Sequence, residues 1–286
     1  MAITLRLAIQ KSGRLFEATQ ALLRECDIEF DVGKTLLKSR AQNFPLELYF
    51  LRDDDISAYV ADGVADAGVV GRNALAESGT GLPEIEPLGF GRCRLSLAIP
   101  REAAYDGLAY FVGKRITTSH PNILSGFLEA KGIQAHIHQV HGSVEIAPSI
   151  GLADAICDLV STGGTLTSNG LKEVETVLAS EAVIVARAGL DGARRTLLDE
   201  LVFRSRAVRR ARHTKYIMLN APNEALERII DLIPGAKSPS VLPLAKSGWS
   251  SVHSVVSDED FWEVIGSLKA AGAQGILVLP IEKMIE

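Results

Sequence analysis

Short apolar runs alternate with amphipathic stretches through the first two thirds of this chain, and that alternation leaves few architectures open. Leu5 to Ile9, Leu46 to Leu51 and Ala67 to Val70 read as strands, with helical periodicity over Leu15 to Arg24 and Ile56 to Ala61 between them. A second strand series begins at Arg94 to Ile99 and continues through Arg115 to Thr118, a helix near Ile123 to Lys131, and Ala135 to Val140. Strand Ala182 to Ala186 is then expected to return to the first series. The pattern predicts two α/β lobes joined by crossing strands, with a cleft between them that suits two substrates.

The most chemically loaded segment is Gly151 to Leu166, where two carboxylates precede a Ser-Thr-Gly-Gly-Thr turn. Ala155 to Val160 reads as a strand, Ser161 to Thr165 as a tight loop and Leu166 to Leu171 as the opening of a helix. Glycines at 163 and 164 allow backbone N–H groups to close on a phosphate, and the Thr162 and Thr165 hydroxyls add donors. Asp154 and Asp158 are then placed to accept from ribose hydroxyls. Taken alone, the same residues also describe a Thr-capped helix that binds nothing.

Composition narrows the classes of function. A net charge of −5 and a sequence pI of about 5.8 argue against a broad nucleic-acid-binding face, which needs many phosphates neutralised. Small polyanions need only local cations, and Lys11, Arg14, Arg52, Arg72, Arg92 and Arg94 fall at or beside predicted strand ends. The mean hydropathy is +0.16, no apolar run reaches membrane-spanning length, and the N-terminus enters Ile3 to Ile9 without secretory character. A cytoplasmic enzyme is expected. Cys26, Cys93 and Cys157 lack disulfide or zinc spacing and read as buried thiols. His136 and His138 share a strand face, but His141 is out of phase and no thiol or carboxylate follows until Glu145. They read as structural or surface residues, and no protein metal ligand set is predicted.

Beyond a basic helix over Ala193 to Arg212 the pattern becomes β-α-β-β-α-β. Strands fall at Tyr216 to Leu219, Val241 to Ala245, Val252 to Val256 and Ile276 to Leu279, with a turn at Pro234-Gly235. Helices run from Asn223 to Leu232 and from a Ser257 cap, with Asp260 beside it, to Ala270. A ferredoxin-like unit of this kind, appended to an enzyme, more often senses an effector than carries chemistry.

Ordered motifs from Leu5 to Met284 resemble the long-form ATP phosphoribosyltransferase family. They are Leu7-Ala-Ile-Gln-Lys-Ser-Gly-Arg14, Arg52-Asp-Asp-Asp-Ile56, Asp66-Ala-Gly-Val-Val-Gly71, Leu88 to Pro100, Gly142-Ser-Val-Glu-Ile-Ala-Pro148 and the Gly151 to Leu166 segment. Leu232 to Pro239 and Gly275 to Met284 continue the series, and His120 departs from an expected Tyr.

The resemblance implies a two-lobed, periplasmic-binding-protein-like catalytic region and a C-terminal ferredoxin-like (ACT-like) regulatory domain. The implied boundaries are 1–92 with 180–211 for lobe I, 93–179 for lobe II and 212–286 for the regulatory domain. It implies transfer of a phosphoribosyl group from phosphoribosyl pyrophosphate to N1 of ATP, with Mg2+, in the first step of histidine biosynthesis. Asp154, Asp158 and Glu145 are the implied catalytic residues, and Asp154, Asp158, Ser161, Thr162, Gly163, Gly164, Thr165 and Leu166 the implied phosphoribosyl contacts. Lys11, Arg14, Arg52, Asp66, Gly71 and Arg72 are assigned to ATP or pyrophosphate. Histidine is the implied inhibitor, with Asn220, Ser240 and Ala273 nominated as effector contacts, in a homo-oligomer from dimer to hexamer. A solute-binding protein, an effector-sensing regulator and a phosphoribosyltransferase for another base are the competing readings.

Overall fold

A computed structural model describes residues 3–33, 36–233, 235, 238–259 and 261–285. The chain divides into two compact units, Met1–Glu200 and Leu201–Glu286. The division falls inside one long helix, so Leu201 to Ala211 belong with the second unit and not, as the sequence suggests, with lobe I.

Lobe I of the first unit is a six-stranded sheet in the order β2-β3-β1-β4-β11-β5. Its strands are β1 (Leu5–Gln10), β2 (Lys38–Arg40), β3 (Leu46–Leu51), β4 (Ala67–Gly71), β5 (Glu84–Pro87) and β11 (Ala182–Ala186). Helices α1 (Arg14–Glu25), α2 (Asp53–Ala61) and α3 (Arg72–Ser78) follow β1, β3 and β4. β4 and β11 are buried along their whole length, which explains why Ala-Gly-Val-Val-Gly and Ala-Val-Ile-Val-Ala read as continuous apolar runs. β11 returns to lobe I as expected, antiparallel to β4 and β5.

Lobe II is a five-stranded sheet in the order β10-β6-β9-β7-β8. It comprises β6 (Cys93–Pro100), β7 (Arg115–Thr118), β8 (His136–Gln139), β9 (Ala155–Val160) and β10 (Leu171–Ser180), with α4 (Pro121–Ala130) after β7. The helix expected to open over Leu166 to Leu171 starts two residues earlier and is cut short. A single turn, α5 (Gly164–Ser168), ends at Gly170, whose φ of 69° turns the chain into the ten-residue β10. The helix stops because Ser168-Asn169-Gly170 is a terminator, and β10 escaped notice because two register irregularities against β6 break its alternation. The apolar floor of this sheet includes Leu95, Leu97, Phe111, Ile116, Leu124 and Cys157.

Helix α6 (Gly192–Arg212) runs from the first unit into the second. The second unit continues with β12 (Thr214–Pro222), α7 (Leu226–Leu232), β13 (Ser240–Pro243), β14 (Trp249–Ser257), α8 (Phe261–Ala270) and β15 (Gln274–Pro280). The sheet order β13-β14-β12-β15, with every pair antiparallel, is the ferredoxin-like arrangement. Ile217, Leu219, Val252 and Val256 of the sheet pack with Ile229 of α7 and Leu268 of α8. Pro234 of the expected turn and Asp260 of the expected cap lie outside the described residues. Ser257 Oγ accepts the Glu259 N–H at 3.1 Å.

Candidate functional site

In both lobes of the first unit the parallel strands deliver their carboxyl ends to loops that lead into helices, the usual place for a ligand in an open α/β sheet. In lobe II the loop after β9 surrounds a cavity of about 180 Å³ lined by Arg14, Glu145, Asp158 and residues 159–166. Gly163 holds a φ of 81°, a conformation costly for any residue with a Cβ. The first N–H groups of so short a helix have no intrahelical acceptor and remain for a ligand.

Asp158 lies partly buried near the end of β9, with one oxygen accepting the Leu159 N–H at 2.8 Å. Burial pushes its pKa up, the Leu159 N–H acts against that, the Glu145 charge adds to it and His120 opposes it. A carboxylate in this state gains from any positive charge brought to it.

A larger cavity of about 650 Å³ is the cleft between the lobes. Gln10, Ser12, Asp53, Gly71 and Asn73 line it from lobe I, and Cys93, Leu159 and Ser161 from lobe II. Arg14, Leu159 and Ser161 belong to both cavities, so the two open beside each other. Gly71 is required where it stands, because a Cβ there would come within 2.6 Å of Asn73 Oδ1. Cys26 and Cys157 are buried as read from sequence, whereas Cys93 is half-exposed in the cleft.

Hydrogen bonds made by Asn73 and Glu77 cross between the lobes. Asn73 Nδ2 lies 3.0 Å from His120 Nε2, and Ser180 Oγ donates to Asn73 Oδ1 at 2.8 Å, which orients the amide as a donor to an imidazole nitrogen. Burial lowers the His120 pKa against the opposing charges of Glu77, Asp158, Asp54 and Asp53. The Glu77 carboxylate of α3 accepts the Asn122 and Ile123 N–H groups at 2.9 and 3.0 Å, capping α4 from the other lobe.

Four sequence-nominated residues are not brought to the site. Asp154 precedes β9, roughly 13 Å along the strand from Asp158. Its carboxylate accepts the Arg115 N–H at 2.9 Å and pairs with Arg115 Nε at 3.6 Å, which holds it below the usual carboxylate range. Asp66 precedes β4 at the same amino edge of lobe I, fully buried, accepting from Arg6 at 2.8 and 3.0 Å and from Arg187 at 3.3 Å. Burial pushes its pKa up, but the Arg6 hydrogen bonds and charge outweigh this and the net shift is downward. Arg72 leaves the edge of the cleft to form a two-bond pair with Glu84 and a contact to Glu181, so its charge is already neutralised. In the second unit Ala273 is 7% exposed and packs into the hydrophobic core, which removes its side chain from any effector.

The remaining nominees are placed where a ligand can reach them. Lys11 and Arg52 follow β1 and β3 at the carboxyl edge, exposed and without an ion pair among the described residues. Asn220 on β12 and Ser240 on β13 lie on the sheet face opposite the core of the second unit, with Ser251 and His253 of β14 between them in register. Sequence reading missed Gln10, Asp53, Asn73 and His120 as cleft or lobe-bridging residues. The first two fall within family-like motifs, and in the sequence His120 is marked only by its departure from the family's Tyr. Exposed His136 and His138 occupy edge strand β8. Among the described residues no group of three or more His, Cys, Asp or Glu side chains could hold a metal ion. No helix of the described residues is long and apolar enough to cross a membrane.

A two-lobed α/β chain with a glycine-bearing loop beside an acidic pocket and a second cavity in the cleft defines a periplasmic-binding-protein-like fold. That fold is shared with a histidine kinase sensor domain at TM-score 0.50 and 12% identity, over 72% of this chain and 90% of that one. The ATP phosphoribosyltransferase family matches residues 52–206, and a match described as HisG, C-terminal domain, covers residues 211–283. An ATP phosphoribosyltransferase of Cytophaga hutchinsonii is 56% identical over the full length of both chains, and one of Phocaeicola vulgatus is 54% identical over 98% of this chain and 99% of its own. A solved ATP phosphoribosyl transferase (HisG:HisZ) complex from Thermotoga maritima contains a chain at TM-score 0.61 and 28% identity, covering 71% of this chain and 99% of that one. The chain belongs to the ATP phosphoribosyltransferase family, in its long form, and is a pentosyltransferase of histidine biosynthesis.

Proposed function

We infer that the enzyme binds phosphoribosyl pyrophosphate in the smaller cavity and ATP in the cleft, and joins the ribose C1 to N1 of adenine with release of pyrophosphate. The observation that carries this reading is the shared wall of the two cavities at Arg14, Leu159 and Ser161, where the anomeric carbon and the attacking base must meet. N1 gives its lone pair to C1 as the C1–O bond breaks, and that bond's electrons leave with pyrophosphate. Sugar and leaving group develop opposite charges, so positioning and charge stabilisation dominate.

Asp158, with Glu145 beside it, favours positive charge on the ribose, and residues 161–166 receive the 5-phosphate. Arg14, at the junction, with Lys11 and Arg52 along the same edge, receives pyrophosphate or the ATP phosphates. Two neighbouring carboxylates with no cationic partner among the described residues fit a site that meets Mg2+ already held by substrate phosphates. Mg2+ there would neutralise charge gathering on the leaving group.

The second unit binds histidine as a feedback inhibitor, with Asn220 and Ser240 on the candidate face, and the enzyme acts as a cytoplasmic homo-oligomer between dimer and hexamer. Near-ultraviolet absorbance with ATP, phosphoribosyl pyrophosphate, Mg2+ and pyrophosphatase tests both halves. Phosphoribosyl-ATP should accumulate, and histidine should suppress it. A well-folded protein giving no rise would overturn the transferase assignment, and a rise indifferent to histidine would overturn the regulatory one.

A further inference from the structure

Asp53 is the first residue of α2 and lines the cleft on the lobe I side, partly buried. Its Oδ1 accepts from Gln10 Nε2 at 2.7 Å, and the same amide nitrogen donates to the Val69 carbonyl at 3.0 Å. Two acceptors on one nitrogen fix which way the Gln10 amide faces, and Gln10, 4% exposed, has no room to swing. The carboxylate is therefore held in place, while its Oδ2 receives no hydrogen bond and no cation among the described residues. Burial pushes the Asp53 pKa up, Gln10 opposes this, Asp54 adds to it and His120 opposes it. The group stands to gain from a hydrogen-bond donor.

The chemistry of that donor follows from the surroundings. A triphosphate is repelled by a carboxylate, and the phosphoribosyl group is accommodated in the other cavity. The cleft also presents Leu15 and Ala18 of α1 and, from lobe II, Leu159, which is 39% exposed. Arg14 and Arg92 on the same cavity wall suit the phosphates, while apolar side chains on a wall shared with the carboxylate suit a planar base that offers an N–H at its edge.

Resting on the placement of ATP in this cleft, we propose that Asp53 accepts a hydrogen bond from the 6-amino group of adenine, selecting that base and supporting attack by N1. As N1 bonds to C1 and the C1–O electrons depart with pyrophosphate, positive charge spreads from N1 over C6 to the exocyclic nitrogen. A carboxylate at that nitrogen interacts more strongly with the transition state than with the neutral base, which is the condition for catalysis.

Purine riboside 5′-triphosphate keeps an N1 lone pair but lacks the amino group, which also lowers the intrinsic nucleophilicity of N1, so the contact is read from the change in nucleotide preference between wild type and variant. Wild-type enzyme should favour ATP over the analogue in kcat/KM by about 10- to 100-fold, the range of one charge-assisted hydrogen bond. In Asp53→Asn the side-chain oxygen stays with Gln10 and an amide N–H faces the base. ATP use should fall while the analogue is spared, so that the preference shrinks by about 10-fold or more, leaving only the intrinsic difference in N1 reactivity. Equal use of both nucleotides by wild-type enzyme, a measurement independent of any variant's folding, would overturn the proposal. So would an Asp53→Asn enzyme that is slower but keeps the wild-type preference, since that is what a merely structural or ribose-holding role produces. No transfer to either nucleotide by folded wild-type enzyme would instead overturn the functional reading beneath it.

Discussion

The two ends of the parallel strands in the first unit treat carboxylates in opposite ways. At the amino ends, Asp66 is surrounded by Arg6, Arg187 and Arg194, and Asp154 is held by Arg115. Both have lowered pKa values. At the carboxyl ends, Asp53 and Asp158 have no cationic ion-pair partner among the described residues, and both pKa values are raised by burial. One edge supplies the positive charge its acids need, and the other leaves that charge to be supplied by a ligand. Residue type alone does not separate the two sets of acids in this chain, but the partner does.

The largest effect is expected from Asp158→Asn, which keeps shape and removes charge. Phosphoribosyl transfer should fall by about 10²- to 10³-fold, the scale of losing one preorganised electrostatic group, as read by turnover at saturating substrates. Stability should move the other way. Because the folded-state pKa of Asp158 is raised, folding favours its protonated form, and the ionised group is a cost that appears as pH rises above its unfolded value, about 4. The variant should therefore melt at or above the wild-type temperature at pH 7, and the two should converge on acidification. A variant that is both active and less stable would erase the distinction between the edges.

Asp66→Asn is the opposite experiment and the next in size. Removing the charge of fully buried Asp66 leaves three guanidinium groups, each about a quarter to a third exposed, without their counter-charge, at a cost of about 1–3 kcal/mol once solvent screening of the arginines is counted. Denaturant unfolding should show that loss, with kcat unchanged for the folded fraction. The sign of the pH dependence also reverses. The folded pKa lies below the unfolded one, so the wild-type stabilisation is full above about pH 4 and is lost as pH falls through the folded value. The variant should lack that acid limb.

Much of this contrast was open to sequence reading, and the part that was not has a physical cause. Leu46 to Leu51, Arg115 to Thr118 and Ala155 to Val160 were placed as strands with their observed bounds, because turn residues flank short apolar or β-branched runs. The β-α-β-β-α-β order followed from the same signals. β10 was missed because a half-buried, bulged strand has neither clean alternation nor a continuous apolar run. Asp66 and Asp154 were assigned to the site because motif membership does not state which end of a strand a residue occupies. Asp53 does not stand out in Asp53-Asp-Asp55, where nothing in the sequence separates three consecutive acids and only packing against Gln10 singles out the first.

The smallest expected effect is the sharpest test of the comparison, because Asp154, just before β9, and Asp158, within it, belong to one motif and sequence gives them equal standing. In Asp154→Asn the amide oxygen can still accept the Arg115 N–H, and the lost ion pair is a half-exposed one with Nε at 3.6 Å. Stability should fall by less than about 1 kcal/mol. The kcat/KM for phosphoribosyl pyrophosphate should stay within about twofold of wild type, as for a substitution remote from the chemistry. A loss of turnover comparable to that of Asp158→Asn, with substrate binding by ATP unaffected, would mean that the amino-edge carboxylate reaches the ribose. The rule that a neutralised acid is structural would then fail at the very residue where it makes its strongest claim against the motif.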